Sequence, residues 1–179
     1  DNKYISSKKY IEFLEDFVDA FKEYQKTTKY YDLLGSFYSE FLKYVQKEGG
    51  QDIVLTPDHI KNFMCELIDI QEDSVMLDIC AGSGGFGALT FGFIESKARR
   101  NGVIPYAKSE HIKEKQIIGV EIEEDMYSLA FSNMILHGDG KSNLDKGDSL
   151  VNFEVEKNED GKSIMLEDKI KELSPNIAL

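Results

Sequence analysis

Apolar residues recur at intervals of three and four in two stretches of the first 47 residues. This spacing places apolar side chains along one face of an α-helix. The two stripes are Tyr10, Phe13, Leu14, Phe17, Val18 and Phe21, and then Tyr30, Leu34, Phe37, Tyr38, Phe41 and Val45. We predict a helical pair in residues 1–50 that packs on a domain formed by residues 51–179. The alternative is that the pair belongs to a larger helical region that contacts partner subunits.

From residue 51 onward, short apolar runs alternate with stretches of helical spacing. Strands are predicted at 74–79, at 116–121, ending near 146–149, and beginning at 176. Helices are predicted from 57 to 68, from the glycines to about 98, from 126 to 137, and ending at Leu173, with an exposed hairpin at 151–166. Strands that alternate with helices indicate βαβ units. We therefore predict an α/β fold with a parallel sheet flanked by helices.

Two segments of this domain have a predicted local role. Thr56 is a good N-cap and Pro57 a good first helical residue, because a proline loses no hydrogen bond there. The helix that follows is strongly amphipathic, with its apolar stripe at Ile60, Phe63, Met64, Leu67 and Ile68. Residues 96–115 are polar and locally basic. Such a run is more often a solvated loop than a DNA-facing patch, and we predict a loop.

Acidic residues stand at the ends of three predicted strands, at Asp78, Glu121 and Asp148. In parallel sheets, ligands bind outside the carboxyl ends of the strands. We therefore expect the three carboxylates to converge on one crevice.

A glycine-rich segment follows the first of these acids. Residues 79–84, here called the glycine turn, lead into a helix, and residues 82–87 satisfy the pattern G-x-G-x-x-G. Glycine lets the backbone bend sharply and approach a ligand closely. A dinucleotide would place its pyrophosphate beside the carboxylate of Asp78, which is repulsive. S-adenosylmethionine (SAM) has no phosphate and carries an ammonium and a sulfonium, so the acid favours SAM.

Other residue patterns exclude several sites and partners. No G-K-[ST] phosphate loop is present, and the three histidines, His59, His111 and His137, form no metal-ligand cluster. The net charge of −12 disfavours tight, unaided binding to nucleic acid. No apolar run approaches the length of a membrane span, and two cysteines without metal-ligand spacing are typical of reduced thiols. A cytoplasmic enzyme fits these features.

Several segments, taken in order, resemble a known family. They are Thr56-Pro57 before a helix, DICAGSGGF at 78–86, GVEI at 119–122 and GDSL at 147–150. This order resembles adenine-N6 DNA methyltransferases, and in particular the modification (M) subunit of type I restriction–modification systems. Residues 31–42 and 133–139 are also similar to that subunit. The resemblance covers roughly residues 30–179.

The resemblance implies a set of SAM-binding residues. Leu55, Thr56, Pro57 and Asp58 would border the methionine end of SAM, above a floor formed by Asp78, Gly82, Ser83, Gly84 and Phe86. Glu121 would hold the ribose and Ile122 would contact the adenine ring. The adenine amino edge would meet Asp148 and Ser149.

One departure from the family concerns catalysis. The catalytic motif, Asn-Pro-Pro followed by Tyr or Phe, does not occur in this sequence. By position it is expected just after Leu179, so the methyltransferase fold is expected to be incomplete at its C-terminus. The resemblance then implies a chain that binds SAM without methylating DNA.

The resemblance also implies partners. They are DNA, reached mainly through the whole complex, a specificity subunit, a restriction subunit and, as a further candidate, a second M subunit. Three alternatives remain open. The first is a SAM-dependent methyltransferase of RNA or of protein glutamine, the second a non-catalytic SAM-binding scaffold module, and the third a dinucleotide oxidoreductase.

Overall fold

A computed structural model describes residues 16, 19, 35, 55–137, 143–157 and 159–178 of the chain. The chain divides into two compact units, residues 1–30 and 31–179, and nearly all of the described residues belong to the second. Most of the predicted N-terminal helical pair lies outside the described residues, as do Gly138 and Leu179. The boundary expected at residue 50 stays a prediction. In the part of the chain that is described, no helix is long and apolar enough to cross a membrane.

From residue 55 onward, the described residues of the second unit form six strands and five helices. The strands are β1 (Met76–Asp78), β2 (Ile117–Glu121), β3 (Asn143–Lys146), β4 (Glu154–Lys157), β5 (Ser163–Met165) and β6 (Ile177–Ala178). The helices are α1 (Asp58–Leu67), α2 (Gly85–Ala98), α3 (Tyr106–Lys115), α4 (Glu124–Leu136) and α5 (Leu166–Leu173). Apart from the additional helix α3 and the hairpin β4–β5, strands and helices alternate as the pattern of apolar residues predicts.

Four of the strands form one parallel sheet in the order β3-β2-β1-β6. Asp78 at the end of β1 pairs with Gly119 of β2, and Glu121 at the end of β2 pairs with Lys146 of β3. The carboxyl ends of β1 and β2 therefore lie at the same edge of the sheet. The predicted α/β fold, a Rossmann-like parallel sheet flanked by helices, is confirmed.

The core lies between this sheet and α2. Every residue of β2 is buried, and α2 packs against β1, β2, α1, α3 and α4. A helix covered on this many sides needs no polar face. The sequence of α2, GFGALTFGFIESKA, is accordingly apolar around most of its circumference, with Leu89, Phe91 and Ile94 almost fully buried.

The structure shows a helix in part of residues 96–115, so the prediction of a loop there is wrong for residues 106–115. Helix α3 packs against β2, and its Ile112 is fully buried. The Nζ atom of Lys108 donates hydrogen bonds to the carbonyl oxygen of Glu72 at 2.6 Å and to Oε1 of Gln116 at 3.1 Å. This lysine therefore anchors α3 to the segment before β1, and its ammonium makes hydrogen bonds within the protein.

The start of α1 also differs from the prediction by one residue. Pro57 is the N-cap, with an extended ψ of 143°, and its carbonyl oxygen accepts hydrogen bonds from the N–H groups of Ile60 and Lys61. Asp58 is the first helical residue and pairs with Lys61 at 2.9 Å. Thr56 lies before the helix, and no side chain caps the N-terminus. The acid in the first turn supplies the favourable interaction with the helix dipole instead.

The apolar stripe of α1 is largely exposed. Phe63 is 61% exposed and Leu67 72%, whereas Lys61 and Cys65 are buried. On this helix, a charged residue is therefore buried while several apolar residues are exposed, which is the reverse of what the amphipathic pattern predicts.

The C-terminal elements agree with the sequence pattern. Strands β4 and β5 pair antiparallel as the predicted hairpin. The short helix α5 ends at Leu173, and β6 pairs parallel with β1. The junction of β6 is reinforced by Asn176, whose Oδ1 accepts a hydrogen bond from the N–H of Val75 at 2.9 Å.

Candidate functional site

The glycine turn connects the end of β1 to the start of α2. Gly82 and Gly84 have φ angles of +56° and +75°, which side chains rarely adopt. A Cβ on Gly84 would also lie 3.2 Å from the Cα and Cβ atoms of Ala130 on α4. Glycine is therefore required at Gly84 both for its backbone angle and for the close approach of α4.

A cavity of about 370 Å³ opens above this turn. Pockets for small ligands and cofactors have volumes of roughly 300–1,000 Å³. The cavity is lined by Leu55, Thr56, Lys61, Asp78, Ile79, Cys80, Ala81, Gly82, Ser83, Gly85 and Phe86. The cavity therefore lies between the segment before α1 and the glycine turn, which were expected to border the same cofactor.

The structure brings six of the predicted cofactor residues to the cavity wall. They are Leu55, Thr56, Asp78, Gly82, Ser83 and Phe86. The other predicted residues lie outside that wall, at Pro57, Asp58, Gly84, Glu121, Ile122, Asp148 and Ser149. Glu121 nevertheless contacts the wall directly, through Gly82.

Asp78 is a buried acid in this wall, with 4% of its surface exposed. The pKa of its carboxyl is raised to about 6 by burial, the largest cause, together with the charge of Glu121, and a hydrogen bond from the N–H of Cys80 partly offsets the rise. That hydrogen bond, to Oδ1, is 3.0 Å long. A buried carboxylate of this kind is poorly solvated, so a cation placed beside it would be bound favourably.

Glu121 fixes the glycine turn from the end of β2. Its Oε2 accepts a hydrogen bond from the N–H of Gly82, and its Oε1 accepts one from the N–H of Glu123, both at 2.8 Å. Each carboxylate oxygen has two acceptor positions, so both oxygens keep capacity for a ligand hydroxyl. The exposed Ile122 follows directly, with 62% of its surface accessible.

Asn133 on α4 supports the same turn and was not among the predicted site residues. It is fully buried, and its Nδ2 donates a hydrogen bond to the carbonyl oxygen of Ser83 at 3.1 Å. Its only signal in the sequence was its place in residues 133–139, a segment that resembles the family. The helical spacing of a residue does not reveal which distant carbonyl oxygen its side-chain amide bonds to.

The end of β3 lies beside the end of β2. The N–H of Gly147 donates to the carbonyl oxygen of Glu121 at 3.0 Å, and the ring of Phe153 packs so closely that a Cβ on Gly147 would clash with it. Oδ1 of Asp148 accepts a hydrogen bond from the N–H of Leu150 at 2.9 Å. Asp148 and Ser149 are half-buried next to the carboxyl end of β2, although they do not line the cavity.

Lys61 is a second residue that the sequence pattern did not identify. It lies on α1, is 4% exposed, and lines the cavity together with Asp78. The cavity wall therefore carries an acidic and a basic side chain. A dipolar wall beside a glycine turn is compatible with the amino-acid end of SAM, whereas the buried carboxylate disfavours a pyrophosphate there.

Comparisons with known proteins give the family. The family model described as N-6 DNA Methylase matches residues 29–167. The chain is 37% identical over 127 residues to the type II restriction enzyme and methyltransferase RM.BcgI of Heyndrickxia coagulans, which covers 70% of this chain and 19% of that protein. It is 32% identical over 148 residues to the type I restriction enzyme MjaVII methylase subunit of Methanocaldococcus jannaschii, covering 79% of this chain and 23% of the subunit.

A solved structure is also similar to this chain. It is the modification subunit of a putative type I restriction enzyme from Vibrio vulnificus YJ016, with a TM-score of 0.53 and 28% sequence identity. The match covers 63% of this chain and 22% of that subunit. The chain thus spans about a fifth of the length of these relatives. Since the family model matches more than half of its residues, the chain belongs to the N-6 DNA methylase family.

Proposed function

We propose that this chain is the SAM-binding part of an adenine-N6 DNA methyltransferase, the modification subunit of a type I restriction–modification system. The observation that carries the proposal is the contact between the end of β2 and the glycine turn after β1. Glu121 at the end of β2 holds Gly82 beside a cavity whose wall contains the buried carboxylate of Asp78. Similarity to type I methylase and modification subunits supports the type of system.

Different residues would bind different parts of the cofactor. Asp78 would attract the ammonium of SAM, because a carboxylate already removed from water gains most from a nearby cation. Leu55, Thr56, Pro57 and Asp58 would border the methionine end, and Gly82, Ser83, Gly84 and Phe86 would form the floor. Glu121 would accept hydrogen bonds from the ribose hydroxyls, Ile122 would cover the adenine ring, and Asp148 with Ser149 would meet its amino edge.

SAM supplies an activated methyl group when it is bound. The residues of this chain would bind and orient the cofactor, and orientation is a large part of the rate gained in a transfer between two bound reactants. The target adenine would have to leave the DNA stack to reach the site. In the family, the Asn-Pro-Pro-aromatic motif receives it. The three prolines of this chain, Pro57, Pro105 and Pro175, are isolated from one another, so the 179 residues contain no such motif.

The 179-residue chain is therefore proposed to bind SAM without methylating DNA. Its net charge of −12 opposes contact with a phosphate backbone. DNA would be held mainly by the rest of the complex, with a specificity subunit, a restriction subunit and, as a further candidate, a second modification subunit as partners. The free thiols of Cys65 and Cys80 suit the reducing environment of the cytoplasm. The proposed partners suit the same compartment.

Calorimetric titration of the 179-residue chain with SAM and with NAD tests the cofactor. We expect saturable binding of SAM and none of NAD. Binding of NAD without SAM would replace the proposal with a dinucleotide-dependent enzyme. Incubation with DNA and SAM carrying a radioactive methyl group tests the second part. We expect no labelled DNA, and labelled adenine would show that the chain is active without the motif.

A further inference from the structure

A lysine is buried where apolar side chains are exposed on the same helix. Lys61 on α1 is 4% exposed, while its neighbours Ile60, Phe63 and Leu67 are 40–72% exposed. Lysine is among the residues least often buried, because taking an ammonium out of water is costly. Positions that break the local pattern in this way are concentrated at functional sites.

The place of Lys61 in the cavity indicates what the charge could do. Its side chain pairs with Oδ1 of Asp58 at 2.9 Å and also lines the cavity above the glycine turn. Asp78 lines the same cavity and is equally buried. An amino-acid group carries an ammonium and a carboxylate on one carbon, so a wall with one acid and one base matches it in charge.

We propose that Lys61 binds the carboxylate at the amino-acid end of SAM, while Asp78 takes the ammonium. This inference rests on the proposed function and adds to it a residue that determines ligand specificity. The long, flexible stem of lysine allows its ammonium to contact a ligand carboxylate as well as Asp58. A second anion beside the buried ammonium offsets more of its desolvation.

The test compares SAM with decarboxylated SAM, which keeps the adenosine, the sulfonium and the amine but lacks the carboxylate. Affinities of the full 179-residue chain are measured by calorimetry for the wild type and for Lys61→Met. We expect the substitution to weaken SAM binding by about 10- to 100-fold, the range of a charged hydrogen bond. Binding of decarboxylated SAM should change by less than about threefold, because that ligand has no carboxylate for Lys61 to bind.

Lys169 on α5 provides a matched control. It is also buried and pairs with an acid, Asp145, at 2.8 Å, but it does not line the cavity. Lys169→Met should therefore leave both affinities unchanged. Lys61→Arg keeps the charge and should keep a preference for SAM. Where Lys61→Met does not fold, Lys61→Gln has the same expected outcome, since its end group is polar but uncharged.

Two results would overturn the assignment of Lys61. One is an equal loss of affinity for both ligands in the variant, which would mean that Lys61 only supports the shape of the cavity. The other is unchanged SAM binding. In both cases the wild-type chain still binds SAM and the proposed function stands. If the wild-type chain binds neither ligand, the proposed cofactor itself is wrong.

Discussion

Oε2 of Glu121 accepts a hydrogen bond from the N–H of Gly82 at 2.8 Å, across 39 residues of sequence. This contact joins the end of β2 to the glycine turn after β1. The other oxygen, Oε1, is bonded to the N–H of Glu123, so the carboxylate is held in one orientation. A residue expected to bind the ribose is thus also a structural support of the turn that would lie beneath the cofactor.

Replacing Glu121 by glutamine should damage both roles. The N–H groups of Gly82 and Glu123 approach different oxygens of the carboxylate, so in glutamine the NH2 group takes the place of one acceptor and one partly buried N–H loses its partner. We expect a loss of about 1–2 kcal/mol in the free energy of unfolding and a decrease of at least about tenfold in SAM affinity. Urea denaturation and calorimetric titration measure the two effects.

Glu123→Gln is the control for this substitution. Oε2 of Glu123 alone accepts from the N–H groups of Asp125 and Met126, and the single oxygen of glutamine can do the same. The control should keep SAM affinity and nearly all of its stability. Full SAM affinity in Glu121→Gln would show that the carboxylate does not hold the ribose.

The regular features of the site could be predicted from sequence because each has a local cause. A strand that ends on Asp78, a run of glycines and a following helix are visible in order, and parallel strands place their ends together. The same reasoning located β2 with Glu121 and the hairpin β4–β5. The missed features depend on contacts between segments that are distant in sequence.

Helix α3 and Lys61 illustrate the limit of local patterns. The 96–115 segment is polar, and only the folded chain shows that Lys108 bonds to Glu72 and that Ile112 is buried. Lys61 occupies a position in α1 that the apolar stripe leaves to solvent, yet it is buried at the cavity in the folded chain. Periodicity gives the faces of a helix but does not identify the neighbour on each face.

Asp78 should cost stability at neutral pH. Its pKa of about 6 in the folded chain exceeds the ordinary value of 3.8, so the folded state binds the proton more tightly than the unfolded state. This tighter proton binding contributes stability that is fully present below pH 3.8 and is lost as the pH rises through about 6. Asp78→Asn should therefore raise the free energy of unfolding by about 2–3 kcal/mol at pH 8.

The size of this gain should depend on pH. Near pH 4 the wild-type carboxyl is protonated in the folded chain, so the difference between Asp78→Asn and the wild type should nearly vanish. Urea denaturation at pH 4, 6 and 8 measures it, and the other ionisable groups cancel because both proteins contain them. A variant that is less stable than the wild type at pH 8 would contradict the assigned cost of burial.

Affinity for SAM should depend on Asp78 in the opposite direction. The proposed contact needs the ionised carboxylate, so wild-type affinity should fall as the pH decreases through about 6. Asp78→Asn should bind SAM at least about tenfold more weakly at pH 8 and show no such transition. Calorimetric titrations from pH 5 to 8 give both curves. Wild-type affinity that is constant across pH 6 would exclude Asp78 as the partner of the ammonium.

Gly84 should tolerate no side chain. Alanine would have to adopt a φ of +75° and would place its Cβ 3.2–3.3 Å from the backbone of Ala130. We expect Gly84→Ala to lower the free energy of unfolding by about 2–4 kcal/mol. Gly161 has a similar φ of +77°, but among the described residues no atom beyond its chain neighbours lies within 4 Å of the point that a Cβ would occupy, so Gly161→Ala should cost only about 1 kcal/mol. Equal losses of unfolding free energy in urea denaturation would mean that the close approach of α4 does not restrict the side chain at position 84.

Lys108 should contribute to stability rather than to ligand or DNA binding. Its ammonium bonds to the carbonyl oxygen of Glu72 and to Oε1 of Gln116, so Lys108→Met leaves two partly buried acceptors with fewer donors. We expect a loss of about 1–3 kcal/mol in the free energy of unfolding, with SAM affinity unchanged. Lys113 lies on the same helix and pairs with Glu110 one turn away, so Lys113→Met should cost less than about 0.5 kcal/mol. Urea denaturation compares the two variants, and equal, small losses would mean that α3 is not anchored through Lys108.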